Sequence, residues 1–243
     1  MPKLSIIIPC KNEEEQLPKL LASIKRQTFT DYEIIVADAH SKDRTREIAE
    51  SFGARVVEGG MPGPGRNKGA LQAQGTHLLF LDADVTLLSD RYLEDVLKEF
   101  EEKRADVATC PIIPQSDKYL DHVFHGFYNA FIKLTESIRP HAPGMCILTK
   151  RHMHEGVQGF DEEVVFAEDM EYVQRAVKRG NRFKVLRSQP ISASVRRFDK
   201  DGRWGIAIKY VYGELRMIVK GPFRKQPFRY DMGGTEKKDK HDS

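Results

Sequence analysis

The 243-residue chain lacks the marks of several protein classes. It has only three cysteines, Cys10, Cys110 and Cys146, widely separated and in no C-x-x-C pair. That speaks against a disulfide scaffold or a zinc site and for buried, reduced thiols. The histidines His152 and His154 stand in no zinc-type spacing either. No apolar run approaches the roughly 18 residues that a membrane span needs. The start, Met1-Pro2-Lys3, runs straight into an apolar stretch without the basic start and small-residue cleavage site of a signal peptide. The expectation is cytoplasmic placement. No linker-like segment and no internal repeat divides the chain, so one main domain is expected. Apolar residues make up 40% of the sequence and charged residues 31%, enough for a sizeable core and unlike a disordered tail or a collagen-like fibre.

What the chain does have is a lopsided charge. Residues 1–181 carry 23 Lys and Arg against 29 Asp and Glu, whereas residues 182–229 carry 13 against 3. A basic C-terminal segment on an acidic body points to an anionic partner for that segment.

The local pattern alternates strand and helix. Leu4–Pro9, Tyr32–Ala37, Ala54–Val57 and His77–Leu81 read as strands. Asn12, with Glu15 three residues on, reads as the cap of a helix reaching about Arg26, and Ser41 as the cap of a helix over 42–51. Leu93, Val96, Leu97 and Phe100 mark one face of a further helix. Residues 117–138 and 204–220 read as helices, and Glu168–Arg179 as another, closed by Gly180. Met145–Thr149, Val185–Leu186 and Ile191–Val195 are shorter strand candidates. This rhythm predicts an α/β fold with a mostly parallel sheet flanked by helices. In such sheets ligands sit beyond the carboxyl ends of the strands, which singles out Pro9–Glu13, Asp38 and Asp82–Asp84 as neighbours on one rim.

Several of these residues admit both a chemical and a purely structural reading. Asp82 and Asp84 at a strand end suit a Mg²⁺ or Mn²⁺ ion shared with substrate phosphates, or simply a turn. Asp38 suits hydrogen bonding to a base or ribose, or a cap. The stretch Gly59–Gly69 is rich in glycine and proline and leads into a helix, but it does not fit G-x-G-x-x-G. There Arg66 and Lys68 could meet phosphate or base, or the stretch is a surface loop. Glu168 and Asp169 favour a helix N-terminus electrostatically, and Asp169 also suits a general base. Arg196 and Arg197 suit a diphosphate clamp or a solvated basic pair.

Taken together, these motifs resemble family 2 of the GT-A glycosyltransferases. Leu4–Glu13 resembles the opening strand and its Pro-x-x-Asn-Glu turn. Ile34–Thr45 resembles the second-strand motif, with Ala39-His40 in place of the more usual Asp-Gly. Gly65-Arg66-Asn67-Lys68-Gly69, Leu79–Asp84, Gly159-Phe160-Asp161-Glu162 and Glu168-Asp169 follow in the family's order, and Ser194–Phe198 resembles an arginine-pair motif. The likeness covers roughly residues 3–200. It implies a GT-A domain over 1–200; by composition residues 201–230 read as a basic amphipathic extension and residues 231–243, rich in Gly, Lys and Asp, as a flexible tail. It also implies that Pro9, Asn12, Glu13, Asp38, Arg66, Asp82 and Ala83 line a nucleotide pocket. Asp82 and Asp84 would hold Mg²⁺ or Mn²⁺, Arg196 and Arg197 would meet the diphosphate, and Asp169 would be the base of an inverting displacement. The absence of Gln-x-x-Arg-Trp argues for transfer of a single sugar.

The implied donor is a UDP- or GDP-sugar. The acceptor is a hydroxyl or a lipid-linked phosphate, and nucleic acid is not an expected partner. A sugar nucleotidyltransferase would want a glycine-rich basic loop where Cys10-Lys11-Asn12-Glu13 stands, and a non-catalytic binding module would be expected to lose Asp84 or Asp169. Trp204–Lys220, with Lys209, Arg216 and Lys220 along one face, suits a helix lying on an anionic membrane, or one packed on the protein itself. Arg224, Lys225 and Arg229 extend its charge.

Overall fold

The computed structural model describes residues 1–196, 198 and 202–225. Arg197, Arg229 and the tail expected over 231–243 lie outside the described residues, as do the side chains of Trp204 and Lys209. Four strands build one side of the main sheet: β1 (Leu4–Cys10), β2 (Tyr32–Asp38), β3 (Arg55–Glu58) and β4 (His77–Leu81). β1 pairs in parallel with β2 and β4, and β2 with β3. The far side holds β6 (Val107–Thr109), β8 (Cys146–Lys150) and β9 (Phe183–Val185), with β8 antiparallel to both β4 and β6. The seven strands run in the order β3-β2-β1-β4-β8-β6-β9. A second sheet joins β5 (Val85–Leu87), β10 (Ile191–Ser194) and β7 (Ile112–Gln115).

Every residue of β1 is buried, as a parallel strand covered on both faces must be. Its side chains alternate between two cores. Ile6 and Ile8 pack with Leu17, Leu20, Leu21 and Ile24 of α1 (Leu17–Lys25) and with Leu93, Val96, Leu97 and Phe100 of α4 (Tyr92–Glu102). Ile7 faces the other way, towards Ala70 of α3 (Pro62–Leu71), Met153 of α6 (Arg151–Gly156) and Tyr172, Val173 and Ala176 of α7 (Glu168–Lys178). The remaining helices are α2 (Thr45–Ser51), α5 (Tyr119–Leu134) and α8 (Arg203–Lys220). Among the described residues, no helix is long and apolar enough to cross a membrane.

Three local expectations fail, each for a physical reason. α1 begins at Leu17, because Asn12 sits in the left-handed region at φ 52° rather than capping a helix. Its Oδ1 accepts from Lys42 N–H at 2.8 Å, and its own N–H donates to Ser41 Oγ at 2.8 Å. Ser41 is thereby spent on the neighbouring loop, and α2 starts at Thr45 without a side-chain cap. The glycine–proline stretch from Pro62 is already helix, with proline in its first turn, where no N–H is required. The glycines there allow close approach. A Cβ on Gly69 would stand 2.4 Å from Cγ2 of Ile7.

Candidate active site

The carboxyl ends of β1, β2 and β4 lie side by side, and Cys10 is in register with Asp38. The loops leaving β1 and β2 are stitched together. Besides the Asn12 bonds, Glu13 N–H donates to Thr45 Oγ1 at 2.7 Å and Ala39 N–H to Cys10 O at 2.8 Å. The β2 side of this rim carries Asp38, which is fully buried. Its Oδ2 accepts from Ser41 N–H at 3.2 Å and from Arg46 Nη1 at 3.1 Å. Its Oδ1 has no hydrogen-bond partner among the described residues. A buried acceptor left open at a strand end costs energy unless something fills it.

At the end of β4 stand Asp82, Ala83 and Asp84. Asp82 Oδ1 meets Arg66 Nη2 at 2.8 Å. Arg66 rises from α3, is 2% exposed, and ties three elements together. Nη1 donates to Glu168 Oε1 at 2.8 Å, at the start of α7, and Nη2 also donates to Gly144 O at 3.2 Å. Burial alone would weaken its charge, but Asp82, Glu168 and Asp169 outweigh that and raise its pKa. Gly144 completes the arrangement, since a Cβ there would fall 2.3 Å from Arg66 Nη2. The Gly144 N–H donates to Asp169 Oδ2 at 2.6 Å, and Met170 N–H donates to Oδ1 at 2.8 Å.

Asp169 is the perturbed carboxylate of the site. Burial and the neighbouring Glu168 raise its pKa to about 6, against the opposing pull of Arg66 and the two backbone N–H groups. Ala167, the residue just before α7 and two before Asp169, is held at φ 58°. A left-handed alanine is strained, and such residues gather where function fixes the backbone.

Across the rim, Arg196 lies just after β10. It pairs with both oxygens of Glu13 and, through Nη2, with Asp84 Oδ2 at 3.2 Å. Glu13 is 5% exposed; burial raises its pKa, Arg196 lowers it, and Asp84 and Asp82 add to the rise. Glu13, Asp82, Asp84, Glu168 and Asp169 thus share two guanidiniums, Arg66 and Arg196.

The structure therefore brings together Pro9, Asn12, Glu13, Asp38, Asp82, Ala83, Asp84, Asp169 and Arg196. Arg66 is a buried hub beneath them. Lys68, considered above as a phosphate contact, donates instead to Gly59 O at 2.8 Å. Asn67 bonds the backbone N–H and C=O of Phe160, which docks the Gly159–Glu162 motif on α3. Sequence reasoning missed Gly144 and Arg46. Gly144 acts only through its backbone, and the one available signal was the Pro143-Gly144 turn pair. Arg46 lies in the first turn of a helix whose start was misplaced.

The donor set suits a Mg²⁺ or Mn²⁺ ion. Two carboxylates at a strand end supply hard oxygen ligands, and Arg196 shows that Asp84 accepts a cation there. Among the described residues no cluster of three acidic, histidine or cysteine side chains forms an all-protein cage. Mg²⁺ sites seldom need one.

Known proteins resemble the chain in sequence and in fold. The chain is 26% identical over 220 residues to EpsJ, an uncharacterized glycosyltransferase of Bacillus subtilis, covering 76% of this chain and 59% of that protein's length. The chain thus spans well under two thirds of that relative. Its fold matches Staphylococcus aureus TarS 1-349 in complex with UDP at a TM-score of 0.64 and 24% identity, over 79% of this chain and 60% of that one. It also matches the mannosyltransferase PcManGT of Pyrobaculum calidifontis, solved with GDP-Man and Mn²⁺, at a TM-score of 0.70 and 20% identity, over 88% and 61%. The model of glycosyl transferase family 2 matches residues 5–156, and the chain belongs to that family.

Proposed function

We propose that the protein transfers a single sugar from a UDP- or GDP-sugar to an acceptor hydroxyl, with inversion at the anomeric carbon. The observation that carries this reading is Asp169, a carboxylate raised to about 6 and held by Gly144 N–H within the same ion network as Asp82. A base poised near the working pH can take a proton from a hydroxyl. Asp169 accepts that proton while the acceptor oxygen attacks the face of the sugar opposite the diphosphate. The open Oδ1 of Asp38 is a natural acceptor for an N–H of the nucleotide base. Pro9, Asn12, Glu13 and Ala83 form the walls of that pocket, and Arg66 acts on the nucleotide through Asp82, which it orients. Asp82 and Asp84 would hold a Mg²⁺ or Mn²⁺, whose charge would stabilise the departing diphosphate. Arg196 and Arg197 turn to the same diphosphate, with Arg196 leaving Glu13 and Asp84 as the anion arrives.

The fold shared with a UDP complex and a GDP-Man complex supports a nucleotide donor of either base. If the acceptor is a polyprenyl phosphate, it is already ionised and Asp169 only positions it. A peripheral contact of Trp204–Lys220 with the membrane belongs to that version. Calorimetric titration with UDP- and GDP-sugars, with and without Mn²⁺, tests the reading. Binding that depends on the ion in the wild type and not in Asp84→Ala is expected. Equal affinities in both proteins with Mn²⁺ present would refute the metal assignment.

A further inference from the structure

The two oxygens of Asp38 are not equivalent. Oδ2 accepts from Ser41 N–H at 3.2 Å and from Arg46 Nη1 at 3.1 Å. A carboxylate oxygen takes about two hydrogen bonds, so Oδ2 is full. Oδ1 is buried and has no hydrogen-bond partner among the described residues. Asp38 therefore offers a ligand one acceptor, not two. The carboxylate is shielded from water, so solvent does not stand in for a missing partner.

This arrangement is held from several sides. The backbone of Asp38 lies in register between Cys10 of β1 and Glu58 of β3, and its carbonyl accepts from Gly59 N–H at 2.7 Å. His40, at φ 57°, turns the chain so that Ser41 N–H reaches back to Oδ2. Ser41 is itself fixed through its Oγ, which accepts from Asn12 N–H at 2.8 Å. Arg46 leaves the first turn of α2, whose first residue, Thr45, accepts from Glu13 N–H through Oγ1 at 2.7 Å. The side chain of Arg46 is 49% exposed, whereas the carboxylate it meets is fully buried. Withdrawing Arg46 would strip a buried charge of its ion pair, which costs far more than an exposed pair is worth.

A single open acceptor distinguishes the nucleobases. Uracil carries one donor on its pairing edge, N3–H, between two carbonyls. Guanine sets two donors side by side there, N1–H and N2–H, and that pair matches a carboxylate with both oxygens open. With Oδ2 occupied, guanine would leave its second donor unpaired or would have to expel Arg46. Either way a buried polar group loses its partner. Cytosine has an unprotonated N3 where uracil has N3–H, and a carboxylate oxygen repels it. The Arg46 charge on Oδ2 also offsets the repulsion between the carboxylate and the carbonyls that flank N3–H of uracil.

We infer that Arg46 determines base specificity: by occupying Oδ2 it leaves Asp38 a site for one donor, and so selects a UDP-sugar over a GDP-sugar. The inference rests on the proposed contact of Oδ1 with an N–H of the base and narrows the donor to one base. Arg46 acts through Asp38 and is a positioning residue, not a catalytic one.

The test is calorimetric titration of the full chain with UDP, GDP and CDP, each with Mn²⁺. UDP should bind at least about tenfold tighter than GDP and than CDP. Arg46→Met should open Oδ2 and cut the UDP-over-GDP ratio at least about fivefold. Arg46→Lys should keep most of the ratio, because an ammonium still donates to Oδ2. The ratio is read within each variant, so a general loss of stability does not move it. A fall of all three affinities by one factor in Arg46→Met would make the residue merely structural and overturn the inference. GDP binding as tightly as UDP in the wild type would also overturn it, while leaving the donor reading intact. CDP binding as tightly as UDP would mean that Asp38 reads no base N–H, which removes the contact on which the selection rests. Failure of all three nucleotides to bind would instead refute the donor reading itself.

Discussion

At the scale of single residues, Asp169 carries the sharpest expectations. Its pKa is raised, so the group holds its proton up to about pH 6 and is an effective base only above that. Transfer to a hydroxyl acceptor should therefore fall about tenfold per pH unit as the pH drops below 6. A pH–rate profile flat from 5 to 8 would exclude it. Asp169→Asn should lose about 10²–10⁴-fold in kcat while still binding the donor. The sign for stability runs the other way. A raised pKa means that the folded state prefers the protonated form, so this group's favourable contribution is lost as the pH rises through about 6. Asparagine removes that charge, but its one oxygen can accept only one of the two backbone N–H bonds, so in scanning calorimetry at pH 7.5 its Tm should fall short of the gain that removing the charge alone would give. Gly144→Ala is the complementary case. Its Cβ would meet the guanidinium of Arg66 at 2.3 Å, which should cost about 1–3 kcal/mol in urea unfolding and displace Asp82 with it. Asp38, Asp82, Asp84 and Asp169 were legible because carboxylates at strand ends and helix starts announce themselves. Gly144 was not, because a backbone N–H and C=O leave no mark in a side-chain pattern.

At the scale of elements, legibility followed length. The buried strands β1, β2 and β4 are five to seven residues of mostly apolar sequence, and their alternation decides which core each side chain enters. β5 and β6 are three residues each, too short to show a period, and β7 carries a proline, so these members of the far side and the second sheet went unseen. The starts of α1 and α2 were misjudged because the partners of Asn12 and Glu13 lie some 30 residues away, where no local capping rule reaches. The packing of α3 on β1 gives a test at this level. Alanine in place of Gly69 should gain up to about 1 kcal/mol of helix propensity. Against this stands a Cβ at 2.4 Å from Ile7, in a core that has no slack, worth about 1–3 kcal/mol. The contact wins, so Gly69→Ala should lower the urea midpoint with m unchanged. A rise in the midpoint would mean that α3 can lift off β1 without loss.

At the scale of the whole molecule, the site is a clasp between distant parts of the chain. Glu13 follows β1, Asp84 follows β4, Arg196 follows β10, and Arg66 joins α3 to β4 and α7. Among the described residues five carboxylates crowd around two guanidiniums, Arg66 and Arg196, and a divalent cation arriving with a nucleotide would add positive charge among them. A ligand that binds only the folded state stabilises it by mass action, about 2.7 kcal/mol at a hundred times its Kd. For a chain of this size each kcal/mol moves the Tm by about 2–4 °C. UDP or GDP at that excess, with Mn²⁺, should therefore raise the Tm by about 5–10 °C, and whichever nucleotide shifts it further identifies the base that the proposed contact with Asp38 would read. Mn²⁺ or nucleotide alone should give less, because Arg196 competes with the ion for Asp84 and the diphosphate lacks its counter-charge. Asp84→Ala should abolish the difference between nucleotide alone and nucleotide with Mn²⁺. If that difference survives the substitution, the ion is held elsewhere and Asp84 serves only to anchor Arg196.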